Sequence, residues 1–486
     1  MTPRHHAREL IDLVVDAGSY TSWDEPIDMS AYPLAYADEL LKAQARSGAD
    51  EAVLTGCGVV GGHRAVLIAS EFAFLGGSIG EATANRIVTA VERATRERLP
   101  LLAATASGGT RMHEGTRAFV KMVEISRAVV AHRAAGLPYL VYLRHPTTGG
   151  VLASWGSLGH VSVGEPGALI GFLGPKVYET LHGQPFPEGV QVAENLVDKG
   201  ILDAVVPPEE LAALKGRCLD LLMTETPSAG AERRPSLETK PGEPGTLWKS
   251  VERTRSPRRP GVRELLRHGA SDTVPLRGTG DGEHDAGLLL ALTQLDGVPC
   301  VLVGQDRRNQ TPESSMGPAA LREARRGMRM AEDLRLPLVA VIDTPGADLS
   351  KDAEEGGLAG EIARCLADLS TLTVPTVSVI LGQGCGGGAL ALLPAQRVIA
   401  AEHGWLSPLP PEGASAITYG DATHAREMAV RQRVGSRDLL AAGVVHCVVP
   451  ERPDAAEEPV EFACAVVAEV AAQIRELRAA ASAAGR

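Results

Sequence analysis

Short apolar runs recur along the chain in two pairs. Residues 101–105 and 139–143 form the first pair, and residues 338–343 and 376–380 form the second. Aliphatic and β-branched residues without polar alternation predict strands that are buried on both faces of a parallel sheet. Helical periodicity between the two runs of each pair has the length expected of a crossover helix. The pattern therefore predicts an α/β fold that is built twice.

The two halves keep a common register. Residues 98–101 recur unchanged as residues 335–338, and Leu137-Pro138 is matched by Val374-Pro375, each 237 positions later. Agreement at separate landmarks indicates an internal duplication. Each copy has the order strand, helix, strand, with a glycine-containing segment after each strand.

The segment between the copies is rich in proline, glycine and charge, which is typical of a linker. We predict a first domain over residues 1–225, a linker over 226–246 and a second domain over 247–486. Basic residues outnumber acidic ones between residues 231 and 268. This local positive charge fits a solvated linker, or a contact for a phosphorylated ligand or the neighbouring domain.

The ends of the chain carry helical patterns. The first twenty residues predict a charged amphipathic helix, and the alanine-rich residues 457–486 predict a surface helix. Neither a signal-type segment nor an uninterrupted run of about 18 apolar residues occurs. We therefore expect a cytoplasmic protein that does not contact a membrane.

Composition argues against several classes of function. The chain has 60 acidic and 48 basic residues, a net charge of −12 and only 3% aromatic residues. This balance is unfavourable for nucleic acid binding, which needs basic surfaces and aromatic stacking. Seven cysteines are scattered without CxxC pairs, so neither a disulfide framework nor a zinc site is expected.

Glycine-containing segments mark the predicted carboxyl ends of the strands, where ligands of parallel sheets gather. They are residues 107–111, 147–150, 343–347 and 382–389. Consecutive glycines allow unpaired N–H groups at a helix N-terminus to converge on one negative oxygen. The four segments predict backbone oxyanion holes, although tight strand-to-helix turns would use the same residues.

Competing chemistries have weaker signals. No GxxxxGK[ST] motif follows a strand, which excludes a P-loop. Ser107 lacks the GxSxG context of a nucleophile, and no partner histidine and aspartate can be singled out. Cys385 lies among glycines, but a small buried cysteine is more common than a reactive one.

With these motifs, the sequence resembles the carboxyltransferase component of biotin-dependent acyl-CoA carboxylases, specifically a fusion of the beta and alpha chains of bacterial acetyl-CoA carboxylase. The first half carries EFAFLGGS at 71–78, SGGTRMHEG at 107–115 and PTTGGV at 146–151. The second half carries RSPRRP at 255–260 and IDTPGA at 342–347. The resemblance implies two tandem crotonase-like (ClpP/crotonase) domains built from repeated ββα units.

The resemblance also implies a chemistry for the glycine segments. Carboxyl transfer from N1 of carboxybiotin to the α-carbon of an acyl-CoA builds negative charge on the thioester oxygen and on the biotin ureido oxygen. Two oxyanion holes suit two such anions, and biotin itself serves as the base in this family. The implied thioester-oxygen donors are Gly149 and Gly150, and the implied biotin-oxygen donors are Gly387 and Gly388, with Ala389 as a substitute. The implied acyl-CoA channel is lined by Ser107, Gly108, Gly109 and Thr110, and the implied biotin channel by Gly346 and Ala347.

Partners and acceptor follow from the same resemblance. No Met-Lys-Met biotinylation motif occurs, so a separate biotin carboxyl carrier protein and a biotin carboxylase are expected. Family members build the site from halves of neighbouring subunits, which implies a homodimer or a larger homo-oligomer. The cysteine pairs of the family's zinc ribbon are missing, so no zinc is expected.

Acetyl-CoA is the expected acceptor, giving malonyl-CoA for fatty acid biosynthesis. Two alternatives stay open at this point. One is a decarboxylase of a malonyl or methylmalonyl thioester, which needs the same enolate stabilisation. The other is a non-catalytic scaffold that binds acyl-CoA or a carrier protein.

Overall fold

A computed structural model describes the chain over residues 5–223, 246–311, 315–452 and 454–484. The chain divides into two compact units, residues 1–223 and 224–486. The predicted linker, residues 226–246, lies almost entirely outside the described residues, so the exact domain limits stay a prediction.

The first unit contains one mixed sheet and its helices. Its strands are β1 (Thr21–Ser22), β2 (Val53–Val60), β3 (His63–Ser70), β4 (Leu101–Ser107), β5 (Tyr139–Thr148), β6 (Val161–Gly164), β7 (Ile170–Gly171) and β8 (Ala204–Val205). Its helices are α1 (Ala7–Val14), α2 (Leu34–Ser47), α3 (Glu81–Arg96), α4 (Gly115–Ala134), α5 (Gly149–Leu152), α6 (Pro175–His182), α7 (Ala193–Asp198) and α8 (Leu211–Met223). The sheet order is β1-β2-β3-β4-β5-β6-β8, and β7 pairs with the end of β5.

The second unit repeats this plan. Its strands are β9 (Ala270–Leu276), β10 (Leu288–Leu295), β11 (Val298–Gln305), β12 (Leu338–Thr344), β13 (Thr376–Cys385), β14 (Arg397–Ala401), β15 (Trp405–Ser407) and β16 (Cys447–Val449). Its helices are α9 (Thr246–Thr254), α10 (Val262–Gly269), α11 (Pro318–Leu334), α12 (Lys351–Glu355), α13 (Leu358–Thr371), α14 (Gly386–Leu390), α15 (Pro411–Tyr419), α16 (Ala425–Arg431), α17 (Ser436–Ala441) and α18 (Pro459–Ala484). The sheet order is β16-β14-β13-β12-β11-β10-β9, and β15 pairs with β13.

The duplication holds at the level of strand register. An antiparallel hairpin, β2–β3 or β10–β11, is followed in each unit by parallel strands. Leu101 pairs with Tyr139 in the first sheet, and Leu338 pairs with Thr376 in the second. These pairs stand 237 residues apart, as the sequence pattern predicts.

Burial explains why the central strands read as uninterrupted apolar runs. Every residue of β4 and of β12 is buried, because helices cover both faces of a parallel sheet. The crossover helices bury one face each, and α3 contributes Ile87 and Val91 to the core of the first unit. The carboxyl ends of the central strands therefore open onto the edge where the glycine segments lie.

Two expectations need correction. Residues 382–385 of one predicted glycine segment belong to strand β13, because Gly384 and Cys385 pair with β15, and residues 147–148 of its counterpart belong to β5, because they pair with β7. The predicted surface helix at the C-terminal end is α18, and one face of it packs into the core of the second unit through Val466, Val470 and Ile474. The alanines between these residues make the two faces of the helix similar in hydrophobicity, so the sequence did not indicate which face is buried.

Candidate active site

The loop after β4 presents one backbone amide at the end of the first sheet. Ile79 N donates to Gly109 O and Arg111 N donates to Ile79 O, each at 2.9 Å, in a parallel bridge between Ile79 and Thr110. Because successive amides of an extended segment point to opposite sides, the Thr110 amide faces away from Ile79. The loop thus offers Thr110 N–H as a donor.

The short helix α5 presents a second donor. Gly149 N donates to Phe172 O at 2.9 Å, so this amide already has an acceptor. Gly150 is the next residue in the first turn of α5, where N–H groups have no acceptor within the helix. The site residue whose amide is open is therefore Gly150, while Gly149 forms the turn.

The two donors of the first unit lie close together. A Cβ atom added at Gly109 would lie 3.5 Å from Gly150 N, and one added at Gly150 would lie 3.4 Å from the Thr110 side-chain oxygen. Gly109 has φ +106° and Gly149 has φ +61°, which are conformations that glycine adopts without strain. Glycine at these positions lets two backbone segments approach around one point.

The second unit repeats the arrangement 237 residues later. Asp348 N donates to Met316 O at 2.9 Å in a bridge between Met316 and Ala347, so the Ala347 amide faces the other way. Gly387 is the second residue of α14 and occupies the place of Gly150. A Cβ atom added at Gly388 would lie 3.0 Å from Met316 Cε and 3.4 Å from Ala347 N, so a side chain there would crowd the loop that presents the Ala347 amide.

Equivalent hydroxyl groups hold both loops. Ser107 Oγ accepts from Gly109 N at 3.0 Å, and Thr344 Oγ1 accepts from Gly346 N at 3.1 Å. These short-range bonds fix the turn that follows each strand. Gly108 N donates a hydrogen bond to Gly76 O at 2.9 Å. Ser107, Gly108 and Gly346 therefore shape the loops rather than offer free donors.

Ala389 lies deeper in the helix than the other site residues. It is fully buried, and it is the fourth residue of α14, where the amide finds an acceptor one turn back. The helix register thus leaves the amides of Gly387 and Gly388, rather than that of Ala389, without an acceptor within the helix.

A buried arginine supports the loop of the first unit. Arg111 is 1% exposed and forms an ion pair with Glu51, with a second contact to Glu114 Oε1 at 3.3 Å. It also donates to Ser78 O at 2.9 Å. Removing one partner of a buried ion pair costs about 3–5 kcal/mol, so this network holds the residues on both sides of Thr110 in place.

Two supporting residues escaped the sequence analysis. Ile79 and Met316 bridge the glycine loops, and each lies in an equivalent Ser-X-Gly triplet, residues 78–80 and 315–317. The offset of 237 would have found them if the comparison had extended to these triplets. Arg111 stands inside a quoted motif, but nothing in the sequence distinguishes a buried arginine from an exposed one.

Nucleophilic chemistry finds no support at these loops. The Ser107 hydroxyl forms hydrogen bonds only with Gly109 among the residues that the structure describes, and none with a histidine or a carboxylate. Cys385 is buried, and desolvation raises the pKa of its thiol to about 11. A thiol with this pKa is protonated at neutral pH and is a poor nucleophile.

Other site types are not apparent in the described ranges. They contain no group of three or more His, Cys, Asp or Glu side chains placed to hold a metal ion. Within the same ranges, every helix is too short or too polar to cross a membrane. A cavity of about 980 Å³ lies in the first unit beside α3, lined in part by Trp23, Tyr36 and His113. None of the glycines of the two donor loops lines this cavity.

Comparison with known proteins decides the family. The sequence model of the carboxyl transferase domain family matches residues 3–484 of this chain. The chain belongs to the carboxyl transferase family. It is 58% identical over 473 residues to the probable biotin-dependent acyl-coenzyme A carboxylase beta3 subunit of Mycobacterium bovis, covering 97% of this chain and 94% of that protein. It is 39% identical over 465 residues to the acetyl-coenzyme A carboxylase carboxyl transferase subunits beta/alpha of Salinispora arenicola, covering 91% of this chain and 82% of that protein.

Solved structures agree in fold. Transcarboxylase 12S, solved with hydrolyzed methylmalonyl-coenzyme A bound, has a TM-score of 0.74 at 20% identity and covers 95% of this chain and 89% of its own. A single-chain, multi-domain long-chain acyl-CoA carboxylase has a TM-score of 0.72 at 20% identity, covering 94% of this chain and 46% of its own. The predicted crotonase-like α/β fold and the predicted carboxyltransferase family are confirmed. The roles of the individual site residues stay predictions.

Proposed function

We propose that this chain transfers a carboxyl group from carboxybiotin, carried on a separate protein, to the α-carbon of a short acyl-CoA. Acetyl-CoA is the acceptor to test first, with malonyl-CoA as product for fatty acid biosynthesis in the cytoplasm. Membership of the carboxyl transferase family supports carboxyl transfer in general. The sequence motifs, which resemble acetyl-CoA carboxylase, support this particular acceptor.

The observation that carries the proposal is the duplicated pair of backbone donors. In the first unit, Thr110 and Gly150 would stabilise the thioester oxygen as the α-carbon loses its proton. In the second unit, Ala347 and Gly387 would stabilise the ureido oxygen of biotin. Fixed N–H donors aimed at a developing oxyanion need no reorganisation during the reaction, and each contributes about 2.7–4 kcal/mol to lowering the barrier.

No side chain is assigned as a base, and the reaction does not need one. Carboxybiotin, as a substrate, supplies the carboxyl group and then the base that takes the α-proton. The bond from N1 to the carboxyl carbon breaks, the α-proton passes to biotin, and a new bond joins the α-carbon to CO2. The role of this chain is to hold both oxygen atoms while their charge changes.

A biotin carboxyl carrier protein and a biotin carboxylase are the partners that this reaction requires. We propose that the chain works with them as a homodimer or a larger homo-oligomer. Combining the purified chain with a biotinylated carrier, a biotin carboxylase, ATP and bicarbonate should give malonyl-CoA from acetyl-CoA. A clear preference for propionyl-CoA or a longer acyl-CoA would overturn the choice of acceptor and leave the carboxyl transfer intact.

The reverse reaction tests the transfer without partners. The purified chain is incubated with malonyl-CoA and free biotin, and both carboxybiotin and CO2 are measured. Consumption of malonyl-CoA that requires biotin and yields carboxybiotin supports the proposal. Loss of CO2 that does not depend on biotin would indicate a decarboxylase, and no turnover of malonyl-CoA or methylmalonyl-CoA would indicate a non-catalytic binding protein.

A further inference from the structure

A single buried side chain joins both parts of the donor site in the second unit. Gln305 ends strand β11 and is fully buried. Its Oε1 accepts from Asp343 N at 3.0 Å, and its Nε2 donates to Gly388 O at 2.8 Å. Asp343 leads into the loop that presents the Ala347 amide, and Gly388 lies in the helical turn that presents the Gly387 amide.

The contacts around Gln305 leave it little freedom. Its Nε2 also lies 3.8 Å from the sulfur of Met316, the residue that bridges to Ala347. The carbonyl oxygen of Asp343 accepts from Gln310 Nε2 at 3.3 Å. A buried amide whose two ends are both hydrogen-bonded costs free energy to displace, since either partner would lose its bond. The distance between the loop and the helical turn is therefore tied to the length of the Gln305 side chain.

The first unit is braced in a different way. Val66 pairs with Leu101 as Val301 pairs with Leu338, which makes Ser70 the counterpart of Gln305. The Ser70 hydroxyl has no hydrogen-bond partner among the described residues, and it is too short to bridge two segments. The first unit instead uses the Thr147 hydroxyl, which lies 2.8 Å from both Thr105 O and Arg144 O and donates its single proton to one of them at a time.

We infer that Gln305 is a positioning residue for the donor pair of the second unit, setting the spacing between the Ala347 and Gly387 amides. This inference rests on the proposed function, because it assigns these amides to the biotin oxygen. Gln305 itself touches no reacting atom. Its loss should therefore affect the use of biotin and leave the recognition of the thioester unchanged.

The test compares Gln305→Met with wild type in the reverse reaction. Methionine has a similar length and no hydrogen-bonding amide. A displacement of about 1 Å at an active site costs on the order of 100-fold in rate, so we expect kcat/KM for free biotin to fall by about that factor with KM for malonyl-CoA unchanged. Thr147→Val is the matched control in the first unit, and it should instead impair thioester turnover.

A second variant separates positioning from packing and remains informative if Gln305→Met folds poorly. In Gln305→Glu, one oxygen can still accept from Asp343 N, but the other can donate to Gly388 O only when the carboxyl is protonated. The charged groups nearby are Asp343, the arginines that face it, Arg259 and Arg307, and Asp306, which is paired with Arg263. We expect the biotin-dependent rate of Gln305→Glu, divided by that of wild type, to rise as the pH is lowered from 8.5 to 6.

The outcomes are distinguishable. Equal kcat/KM for biotin in wild type and Gln305→Met, or in wild type and Gln305→Glu at both pH 8.5 and pH 6, would overturn the role of Gln305 and leave the proposed function standing. A parallel rise in the KM values for biotin and malonyl-CoA would also overturn it, since that indicates a general loss of structure. Failure of the wild-type chain to form carboxybiotin would instead refute the proposed function.

Discussion

Replacing Gly109 by alanine should disable the donor pair of the first unit while most of the fold is kept. The added methyl group would lie 3.5 Å from Gly150 N and 3.6 Å from Gly149 Cα, against the amide that the thioester oxygen is proposed to approach. Loss of one oxyanion donor reduces kcat by about 10²–10³-fold, or about 2.7–4 kcal/mol. We therefore expect Gly109→Ala to lower the turnover of malonyl-CoA by about this factor.

The same change has a separate cost in stability. Gly109 has φ +106°, and a residue with a side chain in such a conformation loses about 1–3 kcal/mol. Urea unfolding measures this loss independently of activity, and turnover is compared at a temperature at which both proteins are folded. The loss of stability can then be assigned to backbone strain, and the loss of turnover to the obstructed Gly150 amide.

The neighbouring glycine supplies the control. A Cβ atom added at Gly108 meets only Gly76 O, at 3.6 Å, and the amides of Thr110 and Gly150 are not within 4 Å of it. Gly108→Ala should therefore keep most of the activity and stability. If folded Gly109→Ala turned over malonyl-CoA within about twofold of wild type, the assignment of the Gly150 amide to the thioester oxygen would be refuted.

Further substitutions test other parts of the site and the fold. Gly150→Val should impair thioester turnover and Gly387→Val the use of biotin. A Cβ atom at Gly387 would lie 2.6 Å from Ile362 Cδ1, so Gly387→Val should also lower the midpoint of thermal unfolding, and rates are compared below that midpoint; negligible effects of both changes on rate would contradict the two-site assignment. Cys385→Ala should keep kcat within about threefold, since burial raises the pKa of this thiol to about 11 and leaves it protonated at neutral pH; loss of turnover in a folded Cys385→Ala protein would reveal a chemical role. Burial lowers the pKa of His132 to about 4. As the pH falls from 6.5 towards 4, the unfolded chain therefore binds a proton at this residue that the folded chain does not bind. The free energy of unfolding falls by about 3 kcal/mol across that window. His132→Gln should flatten this part of the pH profile of urea unfolding, and an unchanged profile would contradict the reasoning.

The position of the donors shows where sequence reasoning succeeded and where it stopped. The glycine pattern located both segments of each predicted site, because a turn with positive φ and a close approach of two backbones require glycine. The pattern could not tell which amide in each segment is open. Gly149 and Gly150 are alike in sequence, and only the bond from Gly149 N to Phe172 O separates their roles.

The C-terminal helix gives a second example. Its alanine-rich sequence predicts a helix correctly, since alanine has the highest helix propensity. The same composition weakens the contrast between its two faces, so the buried stripe of Val466, Val470 and Ile474 became visible only when α10 and the sheet were placed against it. Local propensity fixes the element, and its packing depends on neighbours that are distant in the sequence.

The sequence by itself determined the duplication, the α/β class, the family and the location of the glycine segments. These are encoded in local spacing and composition, which survive without knowledge of distant contacts. Tertiary structure alone decided which amides are open, why Arg111 is buried, and that Gln305 spans two segments 38 and 83 residues away. Hydrogen bonds between remote segments depend on how strands and helices are brought together, and no local pattern records that arrangement.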